Sequence, residues 1–441
     1  MTDSLVARLR TLIASRRWSG SLAGDAFRVL TSQLVLRGGF AVISLIAART
    51  LPVAAFTDYN LFLVNSALLA SLTSLGLPIA VMLSTSRFRA GRDVDTARAE
   101  FERTLVLFAI LMLAQVVTAP LVIRWLPRTT AGREYLGLYA VVGAIVTNGN
   151  SILSAALTGM RLYRRIALVS ATGVAVLAVG CLAAWRLDVV TPLLIGNLLF
   201  YLVPSAILFR RLRDAGLIRV SALGWSGASS YWAVARTALP SFGSGILFAW
   251  ANWLISTTLL ARQKLPIMFP TYAIGMQWFA MLLFIPTAVG LAAFSHFVEA
   301  SAEGRLSLRL IVMPAIGAFL VGLALCAVAT VAAPVLDIVY GGRFAIDRPF
   351  VATILFAASC SAATAIIANA VITTAGAGTW LRMNAVYAAT VLIAVRLLHP
   401  GTATGAAAVL ALSNVVLILA ASVQLWFSLG RVSPGTTAVP A

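Results

Sequence analysis

The feature that most constrains this chain is its series of long apolar runs. Hydrophobic residues make up 61% of the sequence and charged residues only 11%, and a run of about 20 apolar residues lets a helix cross a bilayer. The pattern predicts an all-α polytopic membrane protein with twelve spans, near residues 29–48, 59–84, 104–124, 136–157, 166–185, 192–209, 237–260, 270–294, 309–336, 350–374, 383–398 and 405–427.

Arginine is concentrated in the connections on one side of these spans. Five arginines lie in residues 87–103, three in residues 161–165 and four in residues 210–219. Positively charged loops stay in the cytoplasm, so both termini are predicted to be cytoplasmic. This bias, together with attraction to anionic phospholipids, accounts for most of the net charge of +19, and we therefore expect no nucleic-acid partner.

A short motif occurs twice in the chain. Ala48-Arg49, Phe56 and Tyr59 recur at identical spacing as Ala261-Arg262, Phe269 and Tyr272. Each copy follows the first span of a six-span half, so the two copies have the same orientation in the membrane. The repeat therefore predicts two halves related by an axis along the membrane normal.

The predicted architecture is two parallel six-helix bundles that rock around a central cavity. The N-terminal bundle covers residues 28–209 and the C-terminal bundle residues 236–427. A cytoplasmic interfacial segment (1–27) precedes them, a cytoplasmic linker (210–235) joins them, and a cytoplasmic tail (428–441) follows. The predicted outer connections are too short to carry acid and base groups, and no zinc spacing, phosphate-binding glycine loop or nucleophile motif is present. We expect a protein that is not an enzyme and has no cofactor or metal.

Arg37 is the clearest charge inside a predicted span. It lies eight residues past Val29, or about 12 Å from the inner end of the first span. A charge at such depth persists when it faces a wet cavity or an anion. Gln33 and Ser44 share its helical face, so all three are predicted to bind substrate. Two alternatives stay open: Arg37 extends to the membrane surface, or it bonds the carbonyls of a neighbouring helix.

Amide side chains in other spans are the remaining candidates for the cavity. They are Asn148, Asn252, Gln277 and Asn369. Amides of this kind also commonly form hydrogen bonds between helices, which is the structural alternative for each. Acidic residues such as Asp58 are expected only in loops or at span ends, so the cavity is predicted to prefer anions.

The segment around the first copy of the repeat resembles a known family. Residues 47–52 (AARTLP), Phe56, Tyr59 and residues 75–78 (LGLP) are similar to the opening of the bacterial O-antigen flippases of polysaccharide biosynthesis. Their superfamily also contains the multidrug and toxic compound extrusion (MATE) transporters and the lipid II flippase. The resemblance implies a MATE-like fold in the bacterial inner membrane.

As to function, the resemblance implies a flippase that moves an undecaprenyl-pyrophosphate-linked oligosaccharide from the inner to the outer leaflet. Arg37 would then meet the pyrophosphate, and polysaccharide polymerase and glycosyltransferases are candidate partners. The lipid II flippase has several deep arginines, whereas this chain has one, with Arg28 near the inner end of the span. The alternatives are a cation-coupled multidrug or metabolite antiporter of the same fold, and a non-transporting scaffold for polysaccharide assembly.

Overall fold

The computed structural model describes residues 34–430 except 75, 90–93, 127–134, 161, 215, 219–227, 285, 287–296 and 298–305. The interfacial segment 1–27, Gln33 and the tail beyond residue 430 lie outside the described residues. All of the secondary structure among the described residues is helical.

Fourteen α-helices occur among the described residues. A π-helical turn, Leu34–Gly38, leads into α1 (Gly39–Thr50), and the N-terminal half continues with α2 (Val53–Ser74), α3 (Leu77–Arg89), α4 (Val94–Trp125), α5 (Tyr135–Gly159), α6 (Tyr163–Leu187) and α7 (Thr191–Asp214). The C-terminal half contains α8 (Ala228–Arg262), α9 (Met268–Leu282), α10 (Leu308–Val331), α11 (Ala333–Val339), α12 (Arg348–Ala375), α13 (Ala377–Leu398) and α14 (Ala403–Gly430).

These helices confirm the predicted all-α membrane architecture. Each predicted span overlaps at least one described helix, and ten of the helices among the described residues are long and apolar enough to cross a membrane. The described part of the first predicted span begins with the π-helical turn at Leu34 and continues as the 12-residue α1. Helices α7 and α8 extend into the predicted linker, 210–235, since α7 ends at Asp214 and α8 begins at Ala228. The boundaries of the linker therefore stay a prediction.

The second predicted span, 59–84, is divided into two helices. Helix α2 ends at Ser74 and α3 begins at Leu77. Between them Gly76 has φ of 66°, a left-handed conformation that glycine adopts without strain. Pro78 is the second residue of α3, where its missing N–H leaves no helical bond unmade. A continuous helix was expected here, and the glycine explains why the helix ends.

Each half packs around its own buried helices. In the N-terminal half α5 contacts α2, α3 and α7, and α6 packs along α7. In the C-terminal half α12 is central and contacts α9, α10, α13 and α14. The two halves meet mainly along α2 and α8, with further contacts from α9 to α2. A space between the halves therefore has α2, α8 and α9 as its natural walls.

The two copies of the repeat occupy equivalent places. Each lies at the connection between the first two helices of its half, from α1 to α2 and from α8 to α9. Phe56 and Phe269 are both buried, and Tyr59 and Tyr272 are each 1% exposed. The repeat thus places one buried phenylalanine and one buried tyrosine at the start of the second span of each half.

Candidate functional site

A cavity of about 600 Å³ lies between the two halves. Helices α1, α2 and α7 form its N-terminal wall, and α8 and α9 form its C-terminal wall. Its surface is mostly apolar and rich in aromatic rings, namely Phe40, Phe200, Tyr201, Phe248, Trp253, Phe269 and Tyr272. Among the described residues that line it, the polar side chains besides tyrosine and tryptophan are Arg37, Asn60, Asn252, Ser256 and Gln277, and none is acidic.

Arg37 supplies the positive charge of this cavity. It lies in the π-helical turn that precedes α1, and such turns are frequent at functional sites. Thr50, at the end of α1, lies thirteen positions after Arg37, which corresponds to about 20 Å of helix. Because the predicted first span ends close to Thr50, this distance is the one expected for a side chain inside a hydrocarbon core about 30 Å thick.

The Arg37 guanidinium also joins the two halves. Its Nη1 donates a hydrogen bond of 3.2 Å to the backbone carbonyl of Ala280. Ala280 is in the last turn of α9, where carbonyls lack a backbone partner from the next turn and the helix dipole favours a cation. Arg37 therefore lines the cavity and bonds a neighbouring helix, which the sequence analysis treated as alternatives.

On the opposite wall the two predicted amides have different environments. Asn252 is held in place: its Nδ2 donates to the carbonyl of Phe248 at 2.8 Å, and its Oδ1 accepts from the Tyr387 hydroxyl at 3.5 Å. Gln277 has a buried Oε1 and a buried Nε2 that make no hydrogen bond to any described residue. Both residues line the cavity, as predicted, but their contact with a substrate stays a prediction.

Three other predicted residues lie elsewhere. Ser44 is 1% exposed and does not line the cavity. Asn148 donates to the carbonyl of Ala70 at 2.9 Å and to the hydroxyl of Thr73 at 2.8 Å, so it forms the interhelical bonds of the structural alternative. Asn369 is half-buried in α12 and is not part of the cavity wall.

The cavity also contains residues that the sequence analysis did not propose. Tyr272, Tyr201, Trp253 and Asn60 line it. Aromatic residues in an apolar sequence do not reveal whether they face lipid, a protein core or a cavity. Tyr272 was visible as a member of the repeat, but the repeat indicated symmetry and not a binding site.

Asp58 is an acidic residue close to one end of a span. Helix α2 begins at Val53, six residues before the predicted start of the span, so Asp58 lies in its second turn. Its side chain is only 2% exposed. A buried carboxylate therefore exists in the N-terminal half, although it does not line the cavity.

The two halves touch at one end of the cavity. The loops 51–52, 263–267, 340–347 and 399–402 lie at this end, which we call the predicted outer face. Arg343 of the C-terminal half donates a hydrogen bond to the carbonyl of Ala48 in the last turn of α1. The rings of Phe56 and Phe344 lie 5.8 Å apart. Deeper in, Trp253 Nε1 donates to Asn65 Oδ1 at 3.0 Å.

Comparison with solved structures supports the fold assignment. The chain is similar to a multidrug resistance MATE family transporter of the MOP superfamily in its inward-facing conformation, with TM-score 0.69 and 16% identity over 94% of this chain and 100% of that one. It is also similar to such a transporter in an outward-facing conformation, with TM-score 0.68 and 15% identity over 92% and 95%.

A MATE transporter of Vibrio cholerae gives TM-score 0.67 and 14% identity over 94% of this chain and 98% of that one. The sequence matches no protein-family model and no curated protein. At these identities the likeness establishes that the chain has the MATE transporter fold.

Proposed function

We propose that this protein is an alternating-access transporter for amphipathic molecules of drug or metabolite size that carry an anionic group. The observation that carries the proposal is Arg37, a positive charge in an aromatic cavity between two halves of the fold.

The size of the cavity supports a small cargo. Pockets of about 300 to 1,000 Å³ bury most of the surface of a drug-sized ligand, and this cavity has about 600 Å³. Its aromatic side chains suit a flat apolar body, because rings such as Phe248 and Trp253 bury large areas and prefer offset or edge contacts with other rings. An apolar body with one polar end fits such a wall best.

The charge of the cavity supports an anionic group on that cargo. A charge-assisted hydrogen bond to a guanidinium stabilises a bound carboxylate or phosphate by about 1.5 to 3 kcal/mol. A guanidinium has five N–H donors, so Arg37 can bond the Ala280 carbonyl and an anion together. The described residues that line the cavity include no acidic side chain.

Alternating access is supported by the way the halves share the site. Both halves contribute walls to the cavity, and the contacts between them at the predicted outer face are hydrogen bonds and ring packing. Such contacts can separate without unfolding either half. The similar MATE structures described above include both inward-facing and outward-facing conformations. A related motion of this chain would expose its cavity to each side of the membrane in turn.

Coupling to a cation gradient belongs to the same proposal. Transporters driven by cations hold the ion on a carboxylate inside the membrane. Asp58, 2% exposed in α2, is a described residue that fits this role. The antiporter hypothesis of the sequence analysis is therefore the form of transport that we favour.

A flippase for a lipid-linked oligosaccharide is the second candidate. One observation favours it, namely that Arg37 lines the cavity between the two halves, and a guanidinium suits the oxygens of a pyrophosphate. The cavity volume supports it less well, because about 600 Å³ holds only part of a lipid-linked sugar. Cells that lack the protein would accumulate lipid-linked oligosaccharide on the inner leaflet, whereas normal surface polysaccharide would exclude this candidate.

Exchange in proteoliposomes tests the leading proposal. Dansyl-leucine combines an aromatic body, an apolar side chain and one carboxylate, and exchange with trapped unlabelled compound requires no knowledge of the coupling ion. We expect exchange through the wild type and slower exchange through Arg37→Gln, with Arg262→Gln at the predicted outer face as a matched control. Exchange no faster than through protein-free liposomes would refute the proposal, and exchange by the purified protein would exclude a non-transporting scaffold.

A further inference from the structure

The repeat contains two equivalent tyrosines whose hydroxyl groups have different surroundings. Tyr59 and Tyr272 occupy matching positions in the two halves, and each is 1% exposed. The Tyr59 hydroxyl accepts a hydrogen bond of 3.2 Å from Nδ2 of Asn197 in α7. The Tyr272 hydroxyl is buried and has no hydrogen-bond partner among the described residues. The two equivalent tyrosines therefore differ in the hydrogen bonding of their hydroxyl groups.

The two tyrosines also differ in their relation to the cavity. Tyr272 lines the cavity, whereas Tyr59 does not. A buried hydroxyl without a partner destabilises a fold, so such groups are rare unless they serve another purpose. The hydrogen bond that Tyr59 forms within its own half accounts for the burial of its hydroxyl group. The burial of the Tyr272 hydroxyl group has no such explanation.

Gln277 is a second side chain on the same wall with unpaired polar atoms. It lies five residues after Tyr272 in α9, lines the cavity, and has both amide atoms buried without a partner among the described residues. The neighbouring Asn252 already uses its amide on Phe248 and Tyr387. The unpaired polar groups of this wall are thus the hydroxyl of Tyr272 and the primary amide of Gln277, and both belong to α9.

We propose that Tyr272 and Gln277 form a neutral hydrogen-bonding subsite that binds an uncharged amide or hydroxyl group of the cargo. The inference rests on the proposed function and makes its substrate more specific. Arg37 on the N-terminal wall binds the anionic end, the aromatic rings hold the apolar body, and α9 binds the neutral polar group. A primary amide complements both residues, because it donates and accepts as the side chain of Gln277 does.

Two dansyl amino acids of nearly equal shape provide the test. Dansyl-asparagine and dansyl-leucine share the ring system and the carboxylate, and differ in a primary amide against two methyl groups. Dansyl fluorescence rises in an apolar site, so titration of the purified protein gives both dissociation constants. We expect the wild type to bind the asparagine probe more tightly, by about five- to thirtyfold, the range of one or two net hydrogen bonds of about 1 kcal/mol each.

Two variants remove the subsite and one serves as the control. Tyr272→Phe and Gln277→Leu should each lower the affinity for the asparagine probe more than the affinity for the leucine probe. Thermal stability of Tyr272→Phe should be equal to or above that of the wild type, because no internal hydrogen bond is lost. Tyr59→Phe removes the matching hydroxyl and leaves Asn197 without its partner, so it should lower stability and keep the preference.

The outcomes separate this inference from the function on which it rests. Binding of both probes with an equal loss for both in Tyr272→Phe and Gln277→Leu would overturn the subsite and leave the transporter proposal intact. A wild type without preference would do the same. Binding of neither probe by the wild type would overturn the proposed cargo class and the subsite together.

Discussion

Removing the Arg343 side chain should open the cavity towards the predicted outer face. Arg343 bonds the carbonyl of Ala48 at the end of α1 and thereby joins the two halves. A hydrogen bond from a charged group contributes about 1.5 to 3 kcal/mol, and 1.4 kcal/mol corresponds to tenfold in an equilibrium constant. If the bond exists only in the closed state, Arg343→Ala should raise the open-to-closed ratio about 10- to 150-fold. The ring contact between Phe56 and Phe344 remains in this variant and still stabilises the closed state.

Cysteine labelling measures this ratio. Ser256 lines the cavity, is 6% exposed, and lies six residues before the end of α8. In a background without the three native cysteines, Ser256→Cys should react slowly with a membrane-impermeant maleimide added from outside. Adding Arg343→Ala should increase the labelling rate in proportion to the open population.

The repeat supplies a matched control for this experiment. Arg262 is also an arginine at the predicted outer face, but it bonds His399 of its own half. Arg262→Ala therefore removes an arginine without breaking a contact between the halves, and its labelling rate should equal that of the parent. Equal rates for Arg343→Ala and the parent would refute the assignment of Arg343 as a closing contact.

Two further predictions concern residues with structural roles. A Cβ on Gly180 would lie 2.9 Å from the Cα of Gly196, so Gly180→Ala should lower the free energy of unfolding by about 1 to 3 kcal/mol through overpacking of α6 on α7. Gly317→Ala is the matched control, because a Cβ at Gly317 would have nothing within 4 Å, and it should leave the free energy of unfolding unchanged. Thermal unfolding in detergent measures the stability of both variants. Asn148→Leu should lower stability by about 1 to 3 kcal/mol, because it removes a bond to Ala70. Its dansyl-leucine affinity should stay unchanged, and a lost affinity would place Asn148 in the binding site.

The helical framework was predictable because membrane burial acts on the sequence directly. An apolar run long enough to cross a bilayer has to form a helix, since its backbone groups find no other partners in lipid. The repeat around Phe56 and Phe269 then fixed the relation of the two halves. The break of the second span at Gly76 was less predictable, because a glycine inside an apolar run also occurs in continuous helices.

The cavity was predictable only in part. Arg37 was identified because a charge within a span requires a polar partner or a wet cavity. The structure shows both, since Arg37 bonds the Ala280 carbonyl and lines the cavity. The amides could not be separated by sequence, since Asn148 and Asn252 have the same chemistry and differ only in which neighbours surround them. The burial of Asp58 was not predicted, because the start of α2 was placed six residues too late. Side-chain burial depends on packing, which a linear pattern does not contain.

The central claim is that Arg37 gives the cavity its preference for an anionic amphipathic cargo. The most direct test compares the affinities of dansyl-leucine and its neutral amide, dansyl-leucinamide, for the wild type and for Arg37→Gln. We expect the wild type to prefer the carboxylate by about tenfold or more, the value of one charge-assisted hydrogen bond, and Arg37→Gln to bind both probes equally. Equal binding by the wild type, or a preference that Arg37→Gln keeps, would contradict the claim.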